Sequence, residues 1–526
     1  MSTHSNRKLR RAGARAKRPM GRIFALGAAC LAMACATVSP FNQDFVELET
    51  PHFVLTSSLG EAATIELARN LEFFHAGVVD AMGLAGGPEA ESSGPAAMPR
   101  TRVFAFDDRS VERPFAVRGE PTHILDQPEG MVWIFRAGRS FDERVSVEVR
   151  HQYAHQLLRD RSPSPRPLWY EEGVAQLAGT VEEAAGGVRI GRMVEAHRAL
   201  LLDWRRNSLA AKMRKSNLSN ETSPERRLFE AQSWAIAHTL RFAGDEPNSG
   251  DSALDQYRRA LDEGGARAAE NARKVLGVSD AILTERIYQH LERKRLRVRL
   301  VSVSGWDPEK VRTVQLSRAE GRARLGFLGL ALGRPALAEE YFERALSEDS
   351  NHLLAQAGLA VVAAGEGRSE GLDQFASKTL AFGSEDPALQ RHLGMAYQLL
   401  AQRAQGDAER EQRIENARDT LRQVLVALPR DVEARLKMGQ LELFEGQGGT
   451  ASERFEHAQR ALEWFEAASA LRPGALGIEL EKARAEQAAG LTRAAEVRAN
   501  EVISRSHSTA LVAEARAILA EGAARE

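Results

Sequence analysis

From about residue 309 to its end, this chain repeats a spacing of small and aromatic residues that leaves few folds open to it. One kind of segment carries a glycine three residues before a tyrosine, as Gly394 and Tyr397 do. A second kind carries an alanine four residues before a phenylalanine, as Ala461 and Phe465 do. On helices, small residues let two backbones approach closely, while the aromatic ring fills the groove behind them. The repetition therefore predicts helices stacked in antiparallel pairs.

This spacing resembles the tetratricopeptide repeat, which has a period of about 34 residues and often a proline near the turn, as at Pro473. Weaker copies are Leu325–Gly326 with Ala338, Phe342 and Ala345; Ala417 with Leu421, Val424 and Pro429; and Ala495 with Ala499. We expect four to five repeats, closed by a helix over Thr509–Leu519. The resemblance implies an all-α solenoid that binds peptides or partner proteins. A generic helical bundle with alanine-rich packing is the alternative.

The front of the chain carries two histidines, His151 and His155, with i,i+4 spacing on a predicted helix. Their imidazoles would share one helix face about 5–6 Å apart, and both can reach one metal ion at roughly 2.0–2.1 Å. Glu172 follows on a second predicted helix, within the run Trp169–Gly173. Its carboxylate would complete three protein ligands. For the histidine pair alone, two hydrogen-bonded residues of an ordinary, partly buried helix are the alternative.

These segments together resemble the Glu-zincin metallopeptidases, specifically the peptidase-MA-like group, whose second helix reads Trp-x-x-Glu-Gly-x-Ala. Trp169–Ala175 fits that helix, and Ala231–Ala235 resembles the Gln-Ser-Trp-Ala helix that follows it. The likeness covers roughly residues 45 to 300. Strand candidates such as Arg102–Phe106 and Met131–Phe135 precede the histidine pair. We therefore expect an α+β domain, in which a small sheet packs on the helices of the site.

The resemblance implies a zinc ion held by His151, His155 and Glu172, with Glu171 as the ligand instead if the second helix is rotated. In His-Glu-x-x-His sites, the glutamate after the first histidine takes a proton from zinc-bound water. This chain has Gln152 at the position of that general base, and a carboxamide cannot act as one. Because a positioned general base contributes about 10²–10⁴-fold in rate, we expect impaired hydrolysis.

Three functional classes compete at this point. The first is a zinc-binding or protein-binding scaffold whose metallopeptidase-like domain has lost its base. The second is an active zinc metallopeptidase with an atypical His-Gln-x-x-His site. Its mark would be hydrolysis that a chelator abolishes and that Gln152→Glu enhances. The third is a metal-free repeat scaffold of the cell envelope, whose thermal stability would ignore a chelator.

The amino-terminal segment has the layout of an export signal. Residues 7–22 are dense in arginine and lysine, and the apolar stretch Ile23–Ala34 follows. A stretch of about 12 residues is too short to cross a bilayer as a helix, which needs about 20. The pattern predicts a lipoprotein-type signal peptide over residues 1–35, with a start at Met1 or at Met20.

The end of that segment, Leu31–Cys35, resembles a bacterial lipobox, in which the cysteine becomes the lipidated first residue of the mature chain. This resemblance implies a lipid on Cys35 and a membrane-anchored protein of the cell envelope that faces the periplasm or the exterior. Cys30 is a second candidate for the lipid, and a simple secretory signal is the alternative to both.

The remainder of the composition limits the partners and sets the domain division. A formal net charge of −1 gives no reason to expect a nucleic acid partner. Both cysteines lie in the predicted signal peptide, so we expect no internal disulfide in the rest of the chain. We divide that rest into a zincin-like domain over residues 44–300, a linker over 301–308 and helical repeats over 309–526.

Overall fold

The computed structural model combines a mostly helical chain with a small sheet region in its N-terminal part. The residues that it describes are 41–83, 100–107, 112–115, 122–127, 130–136, 146–162, 166–203, 213–243, 252–263, 268–303, 306–308, 311–369, 372, 375–376 and 386–525. The predicted signal peptide, with Cys30 and Cys35, lies outside them. Within these ranges, no helix has both the length and the apolarity of a membrane span.

A six-stranded sheet forms the floor of the front part. Its strands are β1 (Val46–Glu49), β2 (Phe53–Ser57), β3 (Thr101–Phe106), β4 (Thr122–Gln127), β5 (Gly130–Arg136) and β9 (Thr313–Gln315). They lie in the order β4-β5-β3-β2-β1-β9. The three central strands are parallel, and the outer strands pair antiparallel to their neighbours. The side chains of Phe53 and Leu55 on β2 are fully buried, as expected of a strand covered on its helix side.

A second sheet of three short strands lies beside the helices of the front part. Its strands are β6 (Glu182–Ala184), β7 (Gly187–Ile190) and β8 (Arg299–Ser302). The helices are α1 (Glu61–Ala81), α2 (Val147–Asp160), α3 (Leu168–Gly179), α4 (Glu195–Asp203), α5 (Ser223–Phe242), α6 (Ala253–Glu263), α7 (Ala268–Val275) and α8 (Asp280–Leu291). The predicted small sheet with packed helices is therefore present. Fully buried aromatic rings, among them Phe74, Trp133 and Trp234, fill the core between them.

The back part consists of helices that pack in consecutive antiparallel pairs. They are α9 (Arg318–Ala331), α10 (Pro335–Glu348), α11 (Leu353–Gly365), α12 (Pro387–Arg403), α13 (Asp407–Ala427), α14 (Val432–Gly446), α15 (Ala451–Ser469), α16 (Leu476–Ala488), α17 (Thr492–Arg505) and α18 (Thr509–Arg525). A Cβ atom on Gly326 would lie 2.4 Å from the ring of Phe342, and one on Gly439 would lie 2.3 Å from the ring of Phe465. The predicted helical repeat part is confirmed at this level, with small residues facing aromatic rings.

The first repeat is attached to the front sheet. Strand β9, which leads into α9, adds to the edge of the sheet by pairing with β1. On the same side, Phe45 packs with Leu316, Leu325 and Tyr341 in one hydrophobic cluster. Residues 301 and 302, predicted as part of a linker, belong to β8, which pairs with β7.

The last repeats are attached to the front part as well, at the C-terminal end of α2. Arg472 is 1% exposed, and its Nη1 donates to the carbonyl of Gln127 over 2.6 Å. Its Nη2 lies 3.3 Å from Asp160 Oδ2. A Cβ atom on Gly474 would lie 1.8 Å from Arg159 Cβ, so glycine permits this close approach. Both ends of the repeat array therefore contact the front part.

Candidate metal centre

Helix α2 presents the two predicted histidine ligands to the same point. The helix begins at its Ser146 cap, whose hydroxyl accepts from the Val149 amide over 3.4 Å. His151 and His155 are 7% and 3% exposed. Their Nε2 atoms are 3.1 Å apart, since residues four apart share one helix face.

Helix α3 brings Glu172 against this pair. Glu172 Oε1 lies 3.6 Å from His151 Nε2, and Glu172 Oε2 lies 3.4 Å from His155 Nε2. Gln176, one turn later on α3, donates its amide to Glu172 Oε1 over 2.9 Å and fixes the carboxylate. The structure thus brings together His151, His155 and Glu172, the three residues expected from the sequence.

A fourth side chain, His507, joins the group from the segment between α17 and α18. His507 Nε2 lies 3.8 Å from Glu172 Oε2, and its ring centroid is 4.7 Å from that of His155 and 5.2 Å from that of His151. One ligand atom from each of these four residues lies within 4.8 Å of the other three. No spacing in the sequence points to His507, because the other three residues are remote from it along the chain.

The separations between these atoms fit a zinc ion. Two ligand atoms that each lie about 2.0–2.1 Å from a tetrahedral zinc ion are roughly 3.3 Å apart. The four distances given above between ligand atoms of the group run from 3.1 to 3.8 Å. Imidazole nitrogen and carboxylate oxygen are both zinc ligands. The residues present therefore suit zinc in number, chemistry and spacing.

Glu171 lies on the other side of His155 and orients it. His155 Nδ1 donates to Glu171 Oε1 over 3.0 Å, which leaves Nε2 directed at the centre of the group. Arg159 and Arg505 form ion pairs with the same carboxylate. A carboxylate behind a ligating histidine is the usual second partner in zinc sites. Glu172 is therefore the carboxylate that lies at the centre, and Glu171 is the one that supports it.

Burial and neighbouring charges set the protonation of the group. Burial lowers the pKa of His151 from 6.5 to about 4, so its imidazole is neutral at pH 7, which is the form that binds metal. Burial acts to raise the pKa of Glu172, but the adjacent His151 and His155 lower it well below its usual range. An ionised Glu172 and a neutral His151 are the forms that bind a cation. Burial acts to lower the pKa of His155, but its hydrogen bonds to Glu171 and Glu172 raise that pKa above 6.5, so a metal ion at His155 competes with a proton.

Gln152 occupies the position at which a His-Glu-x-x-His site has its general base, and its side-chain amide is hydrogen-bonded to Glu148. Gln152 Nε2 donates to Glu148 Oε1 over 2.9 Å, across one turn of α2. Glu230, on α5, lines the same cavity as His155, Glu172 and His507. Burial, with Glu172 nearby, raises the pKa of Glu230 to about 7. Glu230 is thus a carboxyl group beside the metal site that the motif spacing did not identify.

A second group of metal-ligand types lies in the repeats, where Glu442, Glu445 and His457 come together. Arg460 Nε lies 2.9 Å from Glu442 Oε2, and Arg418 Nη2 pairs with Glu445. Two guanidinium groups already neutralise these carboxylates. A metal ion would therefore bind more weakly there than at the group formed by His151, His155, Glu172 and His507. His457 is therefore a suitable control position.

His238, one turn after Trp234 on α5, is fully buried, and both of its ring nitrogens form hydrogen bonds. Because a carbonyl only accepts, His238 Nε2 donates to Gly191 O over 2.9 Å. In the neutral ring Nδ1 then accepts from His290 Nε2, also over 2.9 Å. This arrangement holds a neutral imidazole in the core and gives His238 a packing role.

Acid is expected to destabilise the protein through His238. Burial lowers its pKa from 6.5 to about 4, so the unfolded chain binds more protons than the folded one below pH 6.5. The contribution is complete above pH 6.5 and is lost as the pH falls towards 4, by about 3 kcal/mol. Urea unfolding of the parent and of His238→Phe at pH 7 and pH 4.5 measures it. The variant should lose less stability on acidification, whereas His457→Phe should behave as the parent; equal losses in all three would contradict the assignment.

Comparison with known proteins adds little to this geometry. No protein-family profile and no curated protein matches the chain. The chain is similar to the crystal structure of a thermophilic tetratricopeptide-repeat protein of Thermus thermophilus, at 20% sequence identity and a TM-score of 0.33. The likeness covers 38% of this chain and 99% of that chain. A TM-score this low carries no weight for fold or function, which leaves the site itself as the basis for a proposal.

Proposed function

We propose that this protein is an exported, lipid-anchored scaffold of the cell envelope that binds zinc in a metallopeptidase-like domain and binds a protein or peptide through tetratricopeptide-like repeats. The zinc-binding part is carried by one observation, the convergence of His151, His155 and Glu172 at separations that suit one zinc ion. Lipid attachment at Cys35 and the envelope location rest on the sequence of residues 1–35.

The same site is poorly equipped for hydrolysis. Bound zinc lowers the pKa of a coordinated water towards about 7, but a peptidase also needs a base that takes the proton and passes it to the leaving amine. Gln152 stands at that place, with its amide bonded to Glu148. Loss of a general base costs about 10²–10⁴-fold in rate, which favours a binding role over an enzymatic one.

Zinc content is the test of this proposal. The purified parent is expected to contain about one zinc per chain by elemental analysis, and His151→Ala about none, because one of the buried ligands is lost. His457→Ala is the matched control, since it makes the same change at the other histidine–glutamate group. A parent without zinc, or a loss of zinc in His457→Ala in place of His151→Ala, would overturn the assignment.

An active metallopeptidase is the second candidate, and Glu230 is the observation that favours it. This carboxyl lines the cavity beside the zinc ligands, and its pKa near 7 suits proton transfer. Hydrolysis of a peptide library by the parent, abolished by a chelator and by Glu230→Gln, would support that candidate. We expect no chelator-sensitive hydrolysis in the parent.

A further inference from the structure

We propose that His507 is a fourth protein ligand of the zinc ion, so that the last repeat closes the metal site of the front domain. The inference rests on the proposed zinc binding and goes beyond it, because the ligand comes from the repeat array. It assigns a site with three imidazoles and one carboxylate, shared by two parts of the chain.

The position of the ring carries this inference. His507 Nε2 is 3.8 Å from Glu172 Oε2, close to the spacing of two ligands on one tetrahedral zinc ion. The His507 ring also lies beside the rings of both His151 and His155, and its side chain is 23% exposed. It therefore brings a ligand atom into the same cluster as the three front-domain ligands.

The backbone before His507 is held against the front domain by charged and polar contacts. Arg505 pairs with Glu171, the carboxylate behind His155, and donates to the carbonyl of Arg166 over 2.9 Å. In return, Arg159 Nη2 donates to the carbonyl of Arg505 over 2.6 Å. Both the side chain and the backbone carbonyl of Arg505 are thus bonded to the front domain. These bonds restrict the position of the following segment, which carries His507, as a metal ligand requires.

A second set of contacts fixes the end of α17 to the start of α5 and the segment before it. The Leu218 amide donates to the hydroxyl of Ser504 over 3.0 Å. Arg226 Nη2 donates to the carbonyl of Ile503 over 3.1 Å. Three consecutive residues, 503 to 505, are thus bonded to the front domain before the chain reaches His507.

The chemical consequence is a site without an open coordination position. Structural zinc sites have four protein ligands, whereas catalytic sites have three and keep the fourth position for water or substrate. With His507 bound, no position remains for the water that hydrolysis needs. The ion then links the front domain to the last repeat and holds the two together.

Two measurements on His507→Ala test this assignment. X-ray absorption at the zinc edge, on samples saturated with added zinc, should count about three imidazoles in the parent and about two in the variant. Competition with a chromophoric chelator should give a zinc affinity at least ~100-fold lower in the variant. Loss of a residue that only supports a ligand typically lowers metal affinity by about 10–100-fold, so a larger decrease indicates a direct ligand. His457→Ala should leave both readouts at the parent values.

The outcomes separate this inference from the proposal on which it rests. A parent with zinc, together with His507→Ala that keeps the imidazole count and the affinity, would overturn the fourth ligand and leave the zinc site standing. A parent without zinc would overturn both. Because His507 is partly exposed on a segment between helices, the variant should fold, which circular dichroism verifies. If the alanine variant is unfolded, His507→Gln, which keeps the volume, repeats both measurements.

Discussion

Gly173→Ala is expected to lower the free energy of unfolding by about 2–3 kcal/mol and to reduce zinc binding, although alanine is the better helix former. A Cβ atom on Gly173 would lie 2.5 Å from the carbonyl oxygen of Ser233 and 2.8 Å from Ala237 Cβ. Both atoms belong to α5: one is a backbone oxygen and the other is bonded directly to the backbone. Neither atom can move away from the new methyl group unless the whole helix shifts. Since Gly173 adjoins Glu172, any displacement of α3 also moves the carboxylate away from the two histidines.

Gly477→Ala is the matched control for this change. Gly477 also lies in a helix, α16, but a Cβ atom there would meet nothing within 4 Å. We expect its alanine variant to be as stable as the parent or more stable by up to about 1 kcal/mol. Urea unfolding and zinc content of the parent and both variants give the comparison. Equal stability of Gly173→Ala and Gly477→Ala would show that α3 and α5 do not approach each other so closely at Gly173 that a Cβ atom is excluded.

Arg241→Met is expected to lower the free energy of unfolding by about 3–5 kcal/mol, since it breaks a buried ion pair from one side. Arg241 is 4% exposed at its side chain, and it joins Asp255, over 2.5 Å, to Asp80, over 3.3 Å. Arg299 also contacts Asp80 and Ser252 also contacts Asp255, so each carboxylate keeps one polar partner. The variant nevertheless loses the guanidinium group that neutralises the buried charge of Asp255.

Lys274→Met serves as the control for Arg241→Met. Lys274 pairs with Glu270 over 2.8 Å across one helical turn, and both side chains are well exposed. Water solvates either charge when the other is removed, so its stability should hardly change. Thermal unfolding at pH 7 compares the two variants with the parent. The interpretation fails if both variants have the same melting temperature.

The parts of the site that the sequence predicts are those that a local rule fixes. His151 and His155 meet because a helix places residues four apart on one face, and this geometry holds in any helix. The choice of Glu172 over Glu171 comes from the resemblance, whose Trp-x-x-Glu-Gly-x-Ala helix places its glutamate at Glu172. Helix periodicity alone does not make that choice, because adjacent helical residues point about 100° apart and the direction of each depends on how α3 is rotated. The rotation of α3 decides it, and that rotation is set where Gly173 contacts α5, a contact that no spacing in the sequence reveals.

His507 could not be predicted for a related reason. The direction in which a repeat array curves accumulates from small rotations at each helix pair, so the place of its last segment depends on every packing angle before it. Strand β9 is similar, because three residues, Thr313–Gln315, carry no periodicity that separates them from a loop, and the edge of β1 selects them. Zinc binding, lipid attachment and the envelope location stay predictions until they are measured.

Attachment at both ends changes how the repeat array can respond to load or to a partner. An array of stacked repeats with one free end can bend along its length, because each unit contacts only its neighbours. Here the first unit shares a sheet edge through β9, and the late units are held through Arg472 and Arg505. The pitch of the array is therefore fixed before a partner binds. A partner that fits this pitch binds without the free-energy cost of straightening or coiling the array.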